Sequence, residues 1–171
     1  MNIQLGQYAG FCFGVDRAVS MVEEATKAGG TVVTLGPIIH NHHVVDRFQR
    51  MGVEVANSPE EVRPGSTVVL RAHGVPRQVE ETLAGLPVQV VDATCPFVKR
   101  IHRLVQEAEA EGRTPVIIGT RTHPEVVGIA SWCRRGMVFE GPEELERWAA
   151  LPETSPGLPI CLVSQTTLTA N

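Results

Sequence analysis

The sequence predicts an α/β protein with mostly parallel sheets, built from two similar βαβα units. Three observations carry this expectation. Short apolar runs alternate with helical periodicity along the chain. A set of cysteine, glycine and histidine positions recurs at a constant offset of 83 residues, the separation of Cys12 from Cys95. The polar residues best suited to chemistry fall just after the apolar runs, where parallel sheets bind ligands.

In chain order, Ile3 to Tyr8 reads as a strand. Val15, Ala18, Val19, Val22 and Ala25 then repeat at helical spacing, and Gly29-Gly30 ends a helix of roughly residues 15–28. Thr31 to Leu35 is a strand, followed by the loop Gly36 to Asn41 and a helix from about His43 to Met51. Pro59 to Val62 suits one short helical turn. Ser66 to Leu70 is a strand, Pro76 to Leu83 a helix and Val88 to Val91 a strand. Pro96 then opens a helix whose Val98, Ile101, Leu104, Val105 and Ala108 share one face.

The second half repeats the first. Cys12 corresponds to Cys95, Thr31 to Thr114, Gly36 to Gly119 and His40 to His123. Pro59-Glu60-Glu61-Val62 corresponds to Pro142-Glu143-Glu144-Leu145. An insertion of about ten residues, Leu151 to Pro159, precedes the match of Val68–His73 to Cys161–Thr166. The expected units are residues 1–92 and 93–171. On this register Asn171 corresponds to Gln78, so the second unit lacks its last helix and strand. The repeat therefore predicts that the sequence is a fragment of a longer chain.

Composition narrows the function. The 171 residues are 43% hydrophobic, enough for a core, and the net charge of −4 argues against nucleic acid as the main partner. No apolar run approaches the ~18–20 residues of a membrane span. With no signal peptide at the start, the expectation is a cytoplasmic protein. Its four cysteines should then be reduced, metal-bound or reactive.

Two of them stand out. In Gly10-Phe11-Cys12-Phe13-Gly14 and Asp92-Ala93-Thr94-Cys95-Pro96, the cysteine lies at the junction of a strand-like run and a helix. A helix N-terminus favours the thiolate, which binds metal or attacks an electrophile. Cys12 and Cys95 are read as ligands of one site. Cys133 and Cys161, with apolar neighbours or near a helix end, are read as small hydrophobes. His40, His73 and His123 lie at strand ends beside Gly, Asn or Pro, which suits anion binding or proton relay. Glu125 is a candidate proton donor, with Thr166 as its hydroxyl partner. His42, His43 and His102 are read as surface or packing residues. Lys99, Arg100 and Arg103 form a solvated helix face that could alternatively dock an acidic electron donor.

Together, residues 10–18, Ile39-His40-Asn41, Ala72–Val75, Asp92–Pro96, His123–Val126 and Gln165–Leu168 resemble the IspH (LytB) family, the 4-hydroxy-3-methylbut-2-enyl diphosphate reductases. The resemblance implies reductive removal of the C4 hydroxyl of (E)-4-hydroxy-3-methylbut-2-enyl diphosphate, giving isopentenyl and dimethylallyl diphosphate. It implies an iron–sulfur cluster, [4Fe–4S] in the active form, held by three cysteines from three α/β units in a pseudo-threefold trefoil. Cys12 and Cys95 match two of those ligands. His40, His73 and His123 match residues around the diphosphate, Glu125 the proton-feeding acid and Thr166 its partner. Reduced ferredoxin or flavodoxin is the implied electron donor. The third unit, with the third cysteine, is absent, and the face it would cover is expected to favour self-association.

Two other functions fit parts of the pattern. One is a non-catalytic module that binds a diphosphate without a cluster. The other is a mononuclear metal hydrolase using the histidines and Glu125, although no His-x-x-x-His or Asp-rich spacing supports it.

Overall fold

A computed structural model describes residues 3–4, 6–7, 9–152, 154 and 157–168. The first sheet holds four parallel strands: β1 (Val32–Leu35), β2 (Glu54–Ala56), β3 (Thr67–Leu70) and β4 (Gln89–Asp92). Their spatial order is β2-β1-β3-β4. Helices α1 (Phe13–Ala28), α2 (His42–Arg50) and α3 (Arg77–Ala84), with a 3₁₀ turn at Pro59–Glu61, cover it. Every residue of β1 is buried, as expected of a parallel strand covered on both faces. Val32 and Val69 face the apolar sides of α1 and α2, while Val33, Leu35, Val68 and Leu70 face Val75 and Leu83. Neighbouring residues thus serve opposite cores, as strand periodicity requires.

The second sheet has β5 (Thr114–Ile118), β6 (Met137–Phe139) and β7 (Ile160–Ser164), in the order β6-β5-β7. It reproduces the first sheet without a counterpart of β4. Helices α4 (Pro96–Ala110) and α5 (Pro124–Ser131) pack against it, and α6 (Pro142–Ala149) lies beside β6. Val105, Ile117, Val126, Ile129 and Val163 form its core, with Cys133 and Cys161 packed at the margin. Burial pushes the Cys133 thiol up to about 11, which suits a packing residue.

The repeat is visible in the backbone. The N–H of Gly36 donates to Ala56 O at 2.7 Å, and the N–H of Gly119 donates to Phe139 O at 3.0 Å. Each bond ties the end of a central strand to its short edge neighbour.

Two features depart from the expectations. Ile3, Gln4, Gly6 and Gln7 are not in a strand, while Leu5 and Tyr8 lie outside the described residues. Ile3 is 76% exposed, with no strand beside it to supply a ladder. The strands β2 and β6 were not foreseen, because three residues are too few to show a period. Lys99 is exposed, as expected of a solvated helix face, and it pairs there with Asp92. The expected counterpart of Gln78, Asn171, lies outside the described residues. Among the described residues, no helix is long and apolar enough to cross a membrane.

Candidate functional site

Cys12 and Cys95 are the N-cap residues of α1 and α4, and neither thiol caps its helix by a hydrogen bond. Each sulfur therefore sits beside unpaired helical N–H groups. Both line one cleft of about 670 Å³, with Gly14, Arg100, Ser164, Thr166 and Thr167. Gly14 explains how two helix ends come so close. A Cβ at this position would lie 2.6 Å from Cys95 Sγ and 3.2 Å from Cys95 Cβ. Arg17 fastens the same ends together, its guanidinium donating to Thr94 O at 3.1 Å and Asp92 O at 3.2 Å.

Thr166 leads from this cleft to Glu125. Its N–H donates to Glu125 Oε1 at 2.6 Å and its hydroxyl to Oε2 at 3.0 Å. Glu125 is fully buried at the start of α5. Burial raises its carboxyl above the usual range, and the two Thr166 bonds only partly offset this. The neighbouring His123 caps α5: its Nδ1 accepts from the Glu125 N–H at 3.2 Å, which leaves Nε2 to the site.

His123 belongs to a cluster. Its ring lies 5.4 Å from His40 and 5.5 Å from His73, and His40 and His73 are 4.3 Å apart. One nitrogen from each falls within 4.8 Å of the others. The loop after β1, the loop after β3 and the N-terminus of α5 supply one imidazole apiece. Burial, together with the charge of His40, His123 and Arg71, holds His73 down to about 4. Burial also lowers His123, helped by His40 and Arg71. His73 and His123 thus resist protonation in the free site, and a bound anion beside the three rings reverses that balance.

The sequence match extends over residues 3–171 to the family described as LytB protein. The chain belongs to the LytB family. Among curated relatives, the 4-hydroxy-3-methylbut-2-enyl diphosphate reductase of Aquifex aeolicus (strain VF5) is 43% identical over 150 residues, covering 85% of this chain and 52% of the relative. The enzyme of the same name from Clostridioides difficile (strain 630) is 36% identical over 170 residues, covering 98% and 60%. A solved structure of (E)-4-hydroxy-3-methyl-but-2-enyl diphosphate reductase, described as the terminal enzyme of the non-mevalonate pathway, superposes with a TM-score of 0.81. It is 40% identical, with 98% of this chain and 59% of that one covered. The Plasmodium falciparum E-1-hydroxy-2-methyl-but-2-enyl-4-diphosphate reductase gives a TM-score of 0.85 at 29% identity, covering 95% and 50%. The chain therefore spans little more than half the length of these LytB relatives.

All seven residues singled out in the sequence for chemistry fall into two adjoining groups, the cysteine cleft and the imidazole cluster, joined by Thr166 and Glu125. His42 and His43 stand apart, exposed on α2. Gln165, in the motif matched at 165–168, is buried, accepts from the Thr120 N–H at 3.1 Å and donates to Thr167 Oγ1 at 2.7 Å. Two supporting residues were not foreseen. Arg71 donates from Nε to Gly74 O at 3.0 Å beneath the His73 loop. Arg17 is the second. Arg71 corresponds to Ser164 in the repeat, so the repeat could not flag it. Arg17 lies within the matched Gly10–Ala18 stretch, which was the one available signal.

Proposed function

We propose that this chain supplies the cluster-holding and diphosphate-binding halves of a 4-hydroxy-3-methylbut-2-enyl diphosphate reductase. The observation that carries the reading is the continuity from Cys12 and Cys95 through Thr166 and Glu125 to three converging imidazoles. The units are residues 1–92 and 93–171, with one site built from both.

Two thiols at helix N-termini, lining one cleft with glycine at the point of closest approach, fit a thiolate-bound iron–sulfur group. Cys12 and Cys95 would hold a [4Fe–4S] cluster, with a further ligand from outside the described site. When bound, that cluster would supply the two electrons, one at a time, at an iron open to the substrate hydroxyl. The rest falls to the chain. His73 and His123 gain protons against the diphosphate, and with His40 they hold it so that the C4 end faces the cysteine cleft. Glu125, whose carboxyl burial raises above the usual range, delivers a proton to the departing hydroxyl, which leaves as water. Thr166 orients that carboxyl by holding both its oxygens. Two protons and two electrons balance the removal of one hydroxyl.

Several side chains around the cleft support the partners. Arg100 on its rim is placed to meet an acidic electron donor, such as reduced ferredoxin or flavodoxin. Phe13, Phe97 and Leu162 are 66%, 61% and 59% exposed beside it. They form an apolar face for self-association with a second copy. The reading places the protein in the cytoplasm, where free thiols persist.

Anaerobic protein, reconstituted with iron and sulfide and given a low-potential reductant, is expected to convert the allylic diphosphate to isopentenyl and dimethylallyl diphosphate. A second reading rests on the spacing of the three imidazole nitrogens, which a divalent metal could draw together. Release of inorganic phosphate with zinc and without reductant would replace the first reading by this one. Retained pyrophosphate binding with no iron would leave only a binding module.

A further inference from the structure

We propose that His102 is a positioning residue that locks the loop bearing His73 to the helix bearing Glu125. The proposal deepens the functional reading and rests on it. His102 lies on α4, two turns after Cys95, and is 4% exposed. Its ring stacks on Trp132, at the end of α5, with centroids 5.3 Å apart and planes 22° from parallel.

The edge of the ring meets two glycines. A Cβ on Gly74, which follows His73, would lie 3.0 Å from His102 Cε1 and 3.5 Å from Nε2. Gly74 also has φ +76°, so a side chain there is excluded twice over. A Cβ on Gly128, one turn along α5 from Glu125, would lie 3.7 Å from His102 Nε2. The same point is 3.8 Å from Val75 O and 3.9 Å from His73 O. One donor nitrogen and two carbonyls therefore surround a single small space between the halves.

The buried Nε2 has no hydrogen-bond partner within the protein. An unpartnered buried nitrogen close to two carbonyls calls for one bridging water, which would satisfy a group otherwise costly to bury. Burial holds His102 down to about 4, despite the opposing pull of Asp92, so the ring is neutral near pH 7 and has one N–H to give. With that N–H at Nε2, the proposed link to His73 O and Val75 O runs through the bridging water, since the nitrogen has no direct partner. The ring thereby ties the Cys95 helix, the His73 loop and the Glu125 helix into one unit, with no contact to the reacting atoms.

The test compares two amides in the full chain. In His102→Gln the amide nitrogen reaches the place of Nε2, and in His102→Asn it stops near Nδ1. Inorganic pyrophosphate affinity is measured by calorimetry, and the His73 imidazole is followed by ¹H–¹⁵N correlation spectroscopy, with thermal unfolding as the control for folding. His102→Gln should bind pyrophosphate within about twofold of the parent, and His102→Asn about tenfold more weakly with a displaced His73 signal. Equal loss in both variants would mean simple packing and overturn the proposal, as would no loss in either. Gly128→Ala serves if the asparagine variant does not fold. Its methyl fits at ordinary contact distance, and should move the His73 signal and weaken pyrophosphate with the unfolding temperature kept. An unmoved His73 signal and unchanged affinity there would overturn the proposal. A parent protein that binds no pyrophosphate would refute the functional reading, and the His73 signal alone would then decide the role of His102.

Discussion

Replacing Gly14 by alanine isolates the geometry of the cysteine cleft from its chemistry. The new Cβ would stand 2.6 Å from Cys95 Sγ, where nonpolar atoms rest at about 3.5–4.0 Å. Roughly 1 Å of adjustment is needed. Forcing it in a packed setting costs about 1–3 kcal/mol. Gly14 sits in the first turn of α1, so alanine returns up to about 1 kcal/mol of helix propensity. The net loss of stability is therefore small, within about 2 kcal/mol. The thiol can also evade the methyl by rotating away, which removes the strain but spoils the ligand. Either route damages the site more than the fold. Gly14→Ala should thus lose most of its iron and acid-labile sulfide after anaerobic reconstitution while its urea midpoint moves little. Gly10→Ala is the control, because a Cβ there meets nothing within 4 Å and should load normally. Normal iron loading in Gly14→Ala would refute the inference that this close approach shapes the cluster site.

Three further outcomes are expected. Glu125→Gln keeps both Thr166 contacts in shape but has no proton to give. Reductive turnover should fall by about 10²–10⁴-fold with pyrophosphate affinity unchanged, and wild-type turnover would contradict the proton-donor role. In the free cluster His73 is held down to about 4 from 6.5 and His123 is lowered, both chiefly by burial. A bound diphosphate favours the protonated rings, so binding should take up protons and tighten as pH falls below 7. Calorimetry in buffers of different ionisation enthalpy reads this, and the uptake should shrink in His73→Asn. Stability runs the opposite way. The neutral form favoured by the fold contributes fully above pH 6.5, and that contribution is lost as pH falls toward 4. Arg17→Met removes two charge-assisted bonds to Asp92 O and Thr94 O, and should cost about 1–3 kcal/mol in the unfolding free energy, with weaker iron loading. An unchanged unfolding curve would show that Arg17 does not fasten α1 to α4.

Much of this site could be read from residue order because the repeat placed equivalent chemistry at equivalent strand ends. Cys12 and Cys95 both became helix N-caps, and His40 and His123 both fell after the central strand of their sheets. The helices were readable because α1 and α4 each run for four turns with one apolar stripe. What could not be read was contact between the halves. His102 looked like any histidine on a helix, and only the packing of α4 against α5 and the His73 loop gave its ring two glycines to touch. Arg17 and Arg71 act on backbone carbonyls, which carry no mark in the sequence. The strands β2 and β6 are too short for a period, and exist because an adjacent edge offers them a ladder. Ile3, before Cys12, shows the converse: it is apolar and lies outside any strand.

The central claim is that thiolates from both halves hold one iron–sulfur group. Its most direct measurement is iron and acid-labile sulfide per site after anaerobic reconstitution, in the parent chain and in Cys12→Ser and Cys95→Ser, with Cys133→Ser as the reference. About four of each in the parent and the reference, with loss in either of the other two, is the predicted result. Loading that survives both Cys12→Ser and Cys95→Ser would contradict it.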